Sequence, residues 1–461
     1  MPKTFCIRQL ASALILAVAL PLAAADNQPN IVFIFADDWG WGDLGCHGSK
    51  WVKTPNLDRL AREGTDFRQF NVLNPVCSPS RTAAMTGQFP ARWSIHQHFA
   101  DMTVNRLQEM PDWLDPKAPM LPRLLQQAGY RTGHFGKWHL TNRGVVGAPE
   151  PTAYGFDESA VFNGPGKVAG LHDTAANAVN FIRAHKDRPF YLNVWLHETH
   201  TPHVPTGESM KQHAGLDEQK QVYAAVVSDG DNTVGQVLAA LKGADVEQNT
   251  LVIFSTDNGP ENTGSDRNKQ HRANAEQGLG TYYSVGETGG LRGRKRSLFE
   301  GGVRVPFIVR WPGRTPAGVV NKTSVITAVD LLPTLCAAAG VALPKDYQPD
   351  GENLLAALEG KNVKRTKPIF WEWRGNANPP HWWPRLAVRD GDWKLYLDPA
   401  KDRAELYHQI LDRPEERNVA DQHPDVVARL KKLILEWKAT LPERPSPECI
   451  SKARTVAPPA N

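Results

Sequence analysis

Residues 30–38 read NIVFIFADD, an unbroken apolar run that ends in two adjacent carboxylates. β-Branched and aromatic side chains without polar alternation are typical of a strand buried on both faces, as in the centre of a parallel sheet. The strand is predicted at 31–36, and Asp37 and Asp38 follow it directly. The stretch therefore predicts a buried strand with acidic groups at its carboxyl end.

The order of a short apolar strand, a polar turn and a helical pattern recurs from residue 29 to about residue 309. Further strands are predicted at 131–135, 190–196, 251–256 and 306–311, and helices at 56–63, 121–128, 173–184 and 219–241. Strands that alternate with helices in this way form mostly parallel sheets covered on both faces. The predicted fold class is therefore α/β, with one large, mostly parallel sheet flanked by helices.

The first 25 residues have the layout of a cleaved export signal. Lys3 and Arg8 precede an apolar run at 10–22, and three alanines close the segment. The run is too short to span a bilayer as a helix, which disfavours a membrane anchor. We therefore expect a periplasmic or secreted protein with no stable membrane span once the signal is removed.

A different pattern begins near Lys364. Residues 368–397 contain short strand-like runs, and Asp390-Gly391 between two of them is a strong hairpin signal. An amphipathic helix is predicted at 424–440. These features predict a smaller C-terminal subdomain made of an antiparallel sheet and a helix. The expected division is a signal peptide at 1–25, a large domain at 26–365, the subdomain at 366–445 and a flexible tail at 446–461.

Composition narrows the class of protein and of partner. An apolar share of 41% with 22% charged residues is ordinary for a soluble globular protein. The formal net charge is +4, and the expected signal carries two of those positive charges, so nucleic acid is not indicated as a partner. The cysteines that follow the signal are Cys46, Cys77, Cys336 and Cys449. An exported protein of this size that depends on disulfides would usually have more cysteines. Whether Cys46, Cys336 and Cys449 form one disulfide among them stays open.

Polar side chains follow each predicted buried strand. They are Asp37 and Asp38, Lys137 and His139, His197 and His200, and Asp257 and Asn258. The carboxyl ends of parallel strands meet at one edge of the sheet, where ligands generally bind. Each pair alone could be an ordinary capped turn. Three carboxylates and an amide oxygen together would repel unless a cation neutralised them, and an all-oxygen set suits Ca²⁺ or Mg²⁺.

The segment 74–92, NPVCSPSRTAAMTGQFPAR, places Pro79 and Arg81 after Cys77 and then continues as a helical pattern. Alone, Cys77 would be interpreted as a buried or redox-active thiol. The C-x-P-x-R arrangement, followed by T-x-x-x-T-G, resembles the type I, formylglycine-dependent sulfatases of the alkaline-phosphatase-like superfamily. The resemblance continues in order through residues 30–48, 54–67, 129–140, 199–202, 252–259, 291–313, 387–397 and 405–420.

The resemblance implies a nucleophile, a metal and a set of roles. Cys77 would be oxidised to formylglycine by a maturation enzyme, and its hydrated aldehyde would attack the sulfate ester. The implied ligands of one divalent metal, Ca²⁺ in preference to Mg²⁺, are Asp37, Asp38, Cys77, Asp257 and Asn258. The remaining implied roles are Arg81 bracing the nucleophile, Lys137 and Lys295 holding sulfate, His139 acting as base, and His200 as acid.

Several neighbouring residues compete for these roles. His197 and His203 flank His200, and Arg294 and Arg296 flank Lys295. His96 and His98 are either surface residues or part of a sugar pocket. The aromatic cluster of Trp371, Trp373, His381, Trp382 and Trp383 either contacts a sugar ring or forms the seam between the two domains. The candidate substrate-binding residues are therefore Lys137, His200, Lys295, His96, His98 and His381.

The function that the sequence predicts is hydrolysis of sulfate monoesters on sulfated carbohydrates. Two rival hypotheses are a phosphonate or phosphate monoester hydrolase of the same superfamily, and a non-catalytic sulfated-glycan binding protein in which Cys77 stays a thiol. No motif in the sequence assigns the sugar or the position of the ester.

Overall fold

The structure is a computed structural model, and it describes residues 28–163, 173–261, 284–375 and 383–454. The expected signal at 1–25 and the candidate residues His381 and Trp382 lie outside the described residues. Within the described part of the chain, no helix combines the length and the apolar character that crossing a membrane requires.

The strands and helices are numbered in chain order among the described residues. The strands are β1 (Asn30–Ala36), β2 (Thr65–Phe67), β3 (Phe70–Asn71), β4 (Arg131–Lys137), β5 (Glu158–Phe162), β6 (Phe190–Trp195), β7 (Thr250–Thr256), β8 (Phe307–Arg310), β9 (Val319–Asn321), β10 (Ile326–Thr327), β11 (Ile369–Glu372), β12 (Leu386–Asp390), β13 (Trp393–Asp398) and β14 (Arg403–His408). The helices are α1 (Pro55–Glu63), α2 (Cys77–Thr86), α3 (Met102–Leu107), α4 (Leu121–Gln127), α5 (Asp173–Ala184), α6 (Gly207–Gln212), α7 (Glu218–Gly243), α8 (Glu300–Val303), α9 (Leu331–Ala338), α10 (Leu355–Leu358) and α11 (Pro424–Ala439).

The large sheet has eight strands in the spatial order β5-β4-β6-β1-β7-β8-β2-β9. β1 lies inside the sheet and pairs in parallel with β6 and β7. The prediction of a large, mostly parallel sheet flanked by helices is confirmed. β8, predicted at 306–311, runs antiparallel to β7. An apolar run looks the same in either direction, so the sequence pattern did not indicate this reversal.

Alternate side chains of β1 enter two hydrophobic layers, one on each face of the sheet. Ile31, Phe33 and Phe35 belong to the layer that includes α2, α4 and α9. Val32 and Ile34 belong to the layer that includes α1, α5 and α7. All five side chains are fully buried. Burial of a side chain of this size contributes about 1.5–3 kcal/mol, which explains why the run has no polar position.

The C-terminal sheet has four strands in the order β11-β12-β13-β14, and all neighbours are antiparallel. The hairpin predicted at Asp390-Gly391 joins β12 to β13. Gly391 has a φ of 60°, in the left-handed region that glycine adopts at low cost. Trp437 of α11 stacks on Phe370 of β11 with 4.8 Å between ring centroids. The predicted combination of antiparallel sheet and helix is confirmed.

A buried seam joins the two sheets. Trp371 donates a hydrogen bond from Nε1 to the carbonyl oxygen of Val72 at 2.7 Å, and Trp373 is also buried. Lys394 Nζ contacts a carboxylate oxygen of Glu300 at 2.5 Å, and neither side chain reaches solvent. Trp371 and Trp373, two of the aromatic residues considered for a sugar contact, are therefore part of the seam.

Residues 446–454, which were expected to belong to a loose tail, pack against the large domain. Asp112 accepts hydrogen bonds from the backbone N–H of Ser451 at 2.8 Å and from Arg454 at 2.6 Å. Cys449 is buried, and the four described cysteines are all free thiols. Because Asp112 is more than three hundred positions away in the sequence, no local pattern indicated this packing.

The backbone is closely packed just after β7, and this predicts a steric effect at Gly259. A Cβ at Gly259 would lie 1.9 Å from the carbonyl oxygen of Gly301, so the backbone would have to move. We expect Gly259→Ala to lower the free energy of unfolding by about 1–3 kcal/mol, measured by denaturant unfolding.

The matched control for this prediction is Gly243→Ala. A Cβ at Gly243, the last residue of α7, would meet nothing within 4 Å. Alanine also favours the helical backbone over glycine by about 1 kcal/mol at most. We expect this variant to keep or raise the stability of the protein, and equal stability of the two variants would contradict the close packing.

Candidate functional site

The carboxyl ends of four neighbouring parallel strands open into one cavity of about 550 Å³. These four strands, β4, β6, β1 and β7, run in the same direction. The polar residues that follow them in sequence therefore lie at the same edge of the sheet. The lining residues include Cys77, His98, Lys137, His139, His197, His200, Glu261, Lys295 and Arg296. The cavity thus brings together the polar residues that follow β4 and β6 with Cys77, His98 and the basic residues Lys295 and Arg296.

Cys77 is the first residue of α2, and its side chain is almost fully buried. Its Sγ lies 3.4 Å from Asp37 Oδ1 and 3.4 Å from Lys137 Nζ. The positive end of a helix dipole favours an anion at this place. Burial, with the charges of Asp257 and Asp37, nevertheless raises the pKa of the thiol well above its ordinary value. An unmodified Cys77 is therefore a protonated, weak nucleophile at neutral pH.

Three carboxylates crowd around Cys77. One ligand atom from each of Asp37, Asp38, Asp257 and Cys77 lies within 4.8 Å of the others. Burial, with the charges of Asp37, Glu261 and Asp257, raises the pKa of Asp38 to about 7 against the opposing effect of Lys295. Burial and the charge of Asp37 also raise the pKa of Asp257. Charged carboxylates at this separation need a positive partner.

Asn258 supplies the observation that tests whether these residues fit a metal ion. Its Nδ2 donates to Asp38 Oδ1 at 2.7 Å. Its Oδ1 is buried and has no hydrogen-bond partner among the described residues. An unpaired amide oxygen beside three carboxylates matches the oxygen ligands that Ca²⁺ and Mg²⁺ prefer. The donor set therefore fits a hard divalent cation.

Each of the three carboxylates also has a basic partner. Lys137 Nζ contacts Asp37, Lys295 Nζ contacts Asp38 Oδ2 at 2.5 Å, and Arg81 Nη2 contacts Asp257 Oδ2 at 2.7 Å. The guanidinium of Arg81 is fully buried and lies over the ring of Trp195 at 4.8 Å. Burial lowers the pKa of Lys137, but the charges of neighbouring groups, Asp37 first among them, together outweigh burial, so the pKa of Lys137 lies above its ordinary value. The amine of Lys137 is therefore charged at neutral pH.

His139 has one free ring nitrogen. Its Nε2 donates to the carbonyl oxygen of Phe99 at 3.0 Å, which leaves Nδ1 as an acceptor. That Nδ1 is buried and unpaired among the described residues. Burial, with the charge of Lys137, holds the pKa of His139 well below its ordinary value, so the ring is neutral. A neutral, unpaired Nδ1 is suited to accept a proton.

His197 and His200 both line the cavity, whereas His203 is not among its lining residues. The rings of His197 and His200 stack at 4.7 Å, and His197 Nδ1 lies 2.7 Å from Asp37 Oδ2. His200 Nδ1 donates to the carbonyl oxygen of Thr201 at 2.6 Å, and its Nε2 lies 3.8 Å from Asp38 Oδ2. Each ring is thus held through its Nδ1, His197 by a carboxylate of the acidic cluster and His200 by a backbone carbonyl.

The candidate sugar-pocket residues divide into two groups. His98 lines the cavity, and burial, with Lys295 and Arg296, lowers its pKa to about 3. His96 is buried with Nδ1 at 3.4 Å from Glu372 Oε2 and is not among the lining residues of the cavity. The structure therefore brings His98, but not His96, to the site.

Glu261 is a site residue that sequence reasoning did not identify. Its carboxylate contacts Lys295 Nζ at 3.2 Å and also pairs with Arg296. Glu261 follows Asp257 by four positions in the loop after β7. This place after a buried strand is the signal that would have identified it.

Comparison with known proteins finds similarity along most of the chain. A family model described as "Sulfatase" matches residues 29–341, and one described as "N-sulphoglucosamine sulphohydrolase, C-terminal" matches residues 288–440. The N-acetylgalactosamine-6-sulfatase of Canis lupus familiaris is 31% identical over 450 residues, which cover 88% of this chain and 78% of that protein. The N-acetylgalactosamine-6-O-sulfatase of Bacteroides thetaiotaomicron is 27% identical, with 88% and 93% covered. The crystal structure of Ps i-CgsB superposes with a TM-score of 0.73 at 26% identity, covering 89% of this chain and 93% of that one.

The crowded carboxylates predict that a divalent cation stabilises the fold. A chelator should lower the free energy of unfolding, and Ca²⁺ at about 100 times its dissociation constant should raise it by about 2.7 kcal/mol. Asp38→Asn removes one negative ligand and should weaken this gain, measured by thermal unfolding across a Ca²⁺ titration.

Asp58→Asn is the matched control for the cation prediction. Asp58 accepts hydrogen bonds from Thr54 and from the backbone of Cys46, outside the cluster. The Ca²⁺-dependent gain should be the same in this variant as in the unaltered protein. A gain that Asp38→Asn leaves intact would rule out Asp38 as a ligand.

Proposed function

The chain belongs to the sulfatase family and is a sulfuric ester hydrolase, and we propose that its nucleophile is formylglycine made from Cys77. The position of Cys77 carries this proposal. Its Sγ faces the cavity between Asp37 and Lys137, and burial leaves the thiol itself protonated. Oxidation of the thiol to an aldehyde provides a different nucleophile, because the hydrated aldehyde has two hydroxyl groups: one can attack sulfur and the other can later expel sulfate.

The substrate that we propose is a sulfate monoester on a carbohydrate. Relatives of this chain are named N-acetylgalactosamine-6-sulfatases, and a crystal structure of Ps i-CgsB contains k-i-k-neocarrahexaose. Arylsulfatase A of Homo sapiens is also 31% identical. These relatives support a sulfated sugar as the substrate class, and a panel of sulfated monosaccharides that begins with N-acetylgalactosamine 6-sulfate would identify the sugar.

The acidic cluster supports a role in holding Ca²⁺. Asp37, Asp38, Asp257 and Asn258 would hold the ion together with the modified residue 77. Bound there, Ca²⁺ would polarise the sulfate oxygens and favour the ionised nucleophile. Mg²⁺ is the alternative ion for the same oxygen ligands.

The cations around the cavity would bind and orient the sulfate group. Lys137 and Lys295 line the cavity with charged amines, and Arg81 lies behind Cys77 against Asp257. Charge-assisted hydrogen bonds from the two lysines would hold the sulfate with its sulfur facing residue 77, and Arg81 would brace residue 77. His98 lines the same cavity and would contact the sugar.

Two histidines would move the protons. Hydrated formylglycine supplies one hydroxyl that attacks sulfur and a second that, once deprotonated, expels sulfate. The unpaired Nδ1 of His139 would take the proton from the second hydroxyl. Nε2 of His200 would donate a proton to the departing sugar oxygen. Burial, with Lys295 and Lys137, holds the pKa of His200 well below its ordinary value, and the negative charge of the substrate would raise it.

Maturation of Cys77 must precede complete folding. Cys77 is 2% exposed, and every residue of α2 is buried. A maturation enzyme would therefore reach the segment before or during folding. We propose that this happens before export to the periplasm or the medium, as the apolar segment at 10–22 suggests.

The proposed nucleophile predicts a chemical change at residue 77. The peptide spanning residues 74–81 from active protein should have the mass of an aldehyde in place of the thiol. Cys77→Ser should lower the turnover of 4-methylumbelliferyl sulfate by a factor on the order of 10⁴ or more, as loss of a nucleophile does. Cys46→Ser is the control, because Cys46 does not line the cavity, and it should keep full activity.

Two outcomes would overturn the proposal for Cys77. One is an unmodified thiol in active protein. The other is a Cys77→Ser variant with activity equal to that of Cys46→Ser. An aryl phosphonate assayed beside the aryl sulfate tests the related hydrolase activity, and we expect sulfate to be strongly preferred.

The role of His200 predicts dependence on the leaving group. An aryl oxide is a stable anion and can leave without being protonated. The oxygen of a sugar alcohol must be protonated as it leaves. His200→Ala should lower kcat by about 10²–10⁴ on a sugar sulfate and much less on 4-nitrophenyl sulfate. His203→Ala is the matched control, since His203 bonds to the carbonyl of Thr199 and does not line the cavity. Equal losses on both substrates would contradict the acid role.

A further inference from the structure

A second cavity of about 550 Å³ lies between the β2–β9 edge of the large sheet and the loop after β14. It shares no lining residue with the active-site cavity. Its cationic lining residues are Arg68, Arg304, Lys322 and Arg413. No acidic side chain is among the lining residues that the structure describes. The cavity is therefore a separate, positively charged site.

Two of the four cations already have partners. Arg68 Nη2 contacts Asp66 Oδ2 at 2.9 Å. Arg304 pairs with Glu300, and its Nη2 donates to Gln409 Oε1 at 3.1 Å. These contacts hold the two guanidinium groups at the wall of the cavity.

Arg413 is held in place but its donors are unpaired. Its guanidinium carbon lies 3.9 Å from the ring centroid of Trp41. Its Nε and Nη2 are shielded from solvent and have no hydrogen-bond partner among the described residues. Burial, with the charge of Arg304, lowers the pKa of Arg413 to about 10, so the group is charged at neutral pH. A charged guanidinium that is partly buried without an anionic partner among the described residues is unfavourable, and an anion in the cavity would offset its charge.

We propose that this cavity binds a sulfate or carboxylate group of an acidic polysaccharide chain, with Arg413 as the central donor and Lys322 at the rim. The forked N–H groups of a guanidinium match the oxygens of such anions. The volume exceeds that of one oxyanion, which leaves space for the sugar that bears it. Val320 and Ile410 line the same cavity and are 48% and 51% exposed, so they offer an apolar surface to the carbon face of a ring.

This inference rests on the proposed function, since it takes the substrate to be part of a sulfated carbohydrate chain. A polysaccharide bound here would be held outside the active site and kept close to the enzyme after each ester is cleaved. Hydrolysis of a small aryl sulfate in the active site would not require binding to this second cavity. The two kinds of substrate therefore separate the role of the cavity from that of the active site.

The test measures binding of a chondroitin 6-sulfate oligosaccharide of defined length by titration calorimetry, in full-length protein carrying Cys77→Ala to prevent turnover. Arg413→Gln should weaken binding about tenfold, the loss of one charge-assisted hydrogen bond. Lys322→Ala should weaken it severalfold. Lys364→Ala is the matched control, because Lys364 is an exposed lysine that lines neither cavity, and its affinity should be unchanged.

The outcomes distinguish this proposal from that of the enzyme's function. With Cys77 intact, Arg413→Gln and Lys322→Ala should hydrolyse 4-methylumbelliferyl sulfate at the unaltered rate. Unchanged oligosaccharide affinity in both variants would overturn the cavity proposal and leave the sulfatase activity standing. Absence of aryl sulfate turnover in the unaltered protein would instead contradict the proposed function. Lys322 is exposed, so its variant tests the cavity even if Arg413→Gln fails to fold.

Inorganic sulfate is the second probe. If it binds in an Arg413-dependent manner while the affinity for the oligosaccharide does not depend on Arg413, the cavity holds a free anion and the polysaccharide proposal is wrong. If both ligands lose affinity in Arg413→Gln and the oligosaccharide binds more tightly than sulfate alone, the proposal is supported.

Discussion

The burial of three carboxylates at the ends of two neighbouring strands is the constraint on which the rest of the structure depends. Asp37 and Asp38 follow β1, Asp257 follows β7, and none of the three is exposed to solvent. Like charges repel strongly where water cannot screen them. The parallel register brings these groups together, and three buried cations from other segments offset their charge. The same balance of charge supports the proposal that a divalent ion and an anionic substrate bind here.

The C-terminal sheet holds the segment that carries Lys295 in place. Lys394 and Tyr396 of β13 both donate to the carbonyl oxygen of Leu298, at 3.2 and 3.1 Å. The backbone N–H of Arg296 donates to the carbonyl of Pro75 at 3.0 Å, which ties the segment to the turn before Cys77. The small sheet therefore supports the active site even though none of its strands supplies a lining residue to the cavity.

Elements with a strong local signal were predicted well, and elements fixed by distant contacts were not. β1, β6 and β7 have six or seven residues each and are mostly apolar, so their positions followed from the sequence. β2 and β9 have three residues each, too few for any periodicity to appear. His96 and His98 lie two positions apart in the same loop, yet one pairs with Glu372 and the other lines the cavity. No local pattern distinguishes them, because their partners come from remote parts of the chain.

The sequence by itself determined the candidate side chains for the chemistry: the paired acids after the apolar run, Cys77 at the start of a helix, and the basic residues that follow the other strands. These are short-range patterns of apolarity and residue type, and they are visible in the order of the residues. Only the tertiary structure decided which atoms are free to act, such as Nδ1 of His139 and Oδ1 of Asn258. The physical reason is that an atom's hydrogen-bond partners are set by packing between segments far apart in the chain.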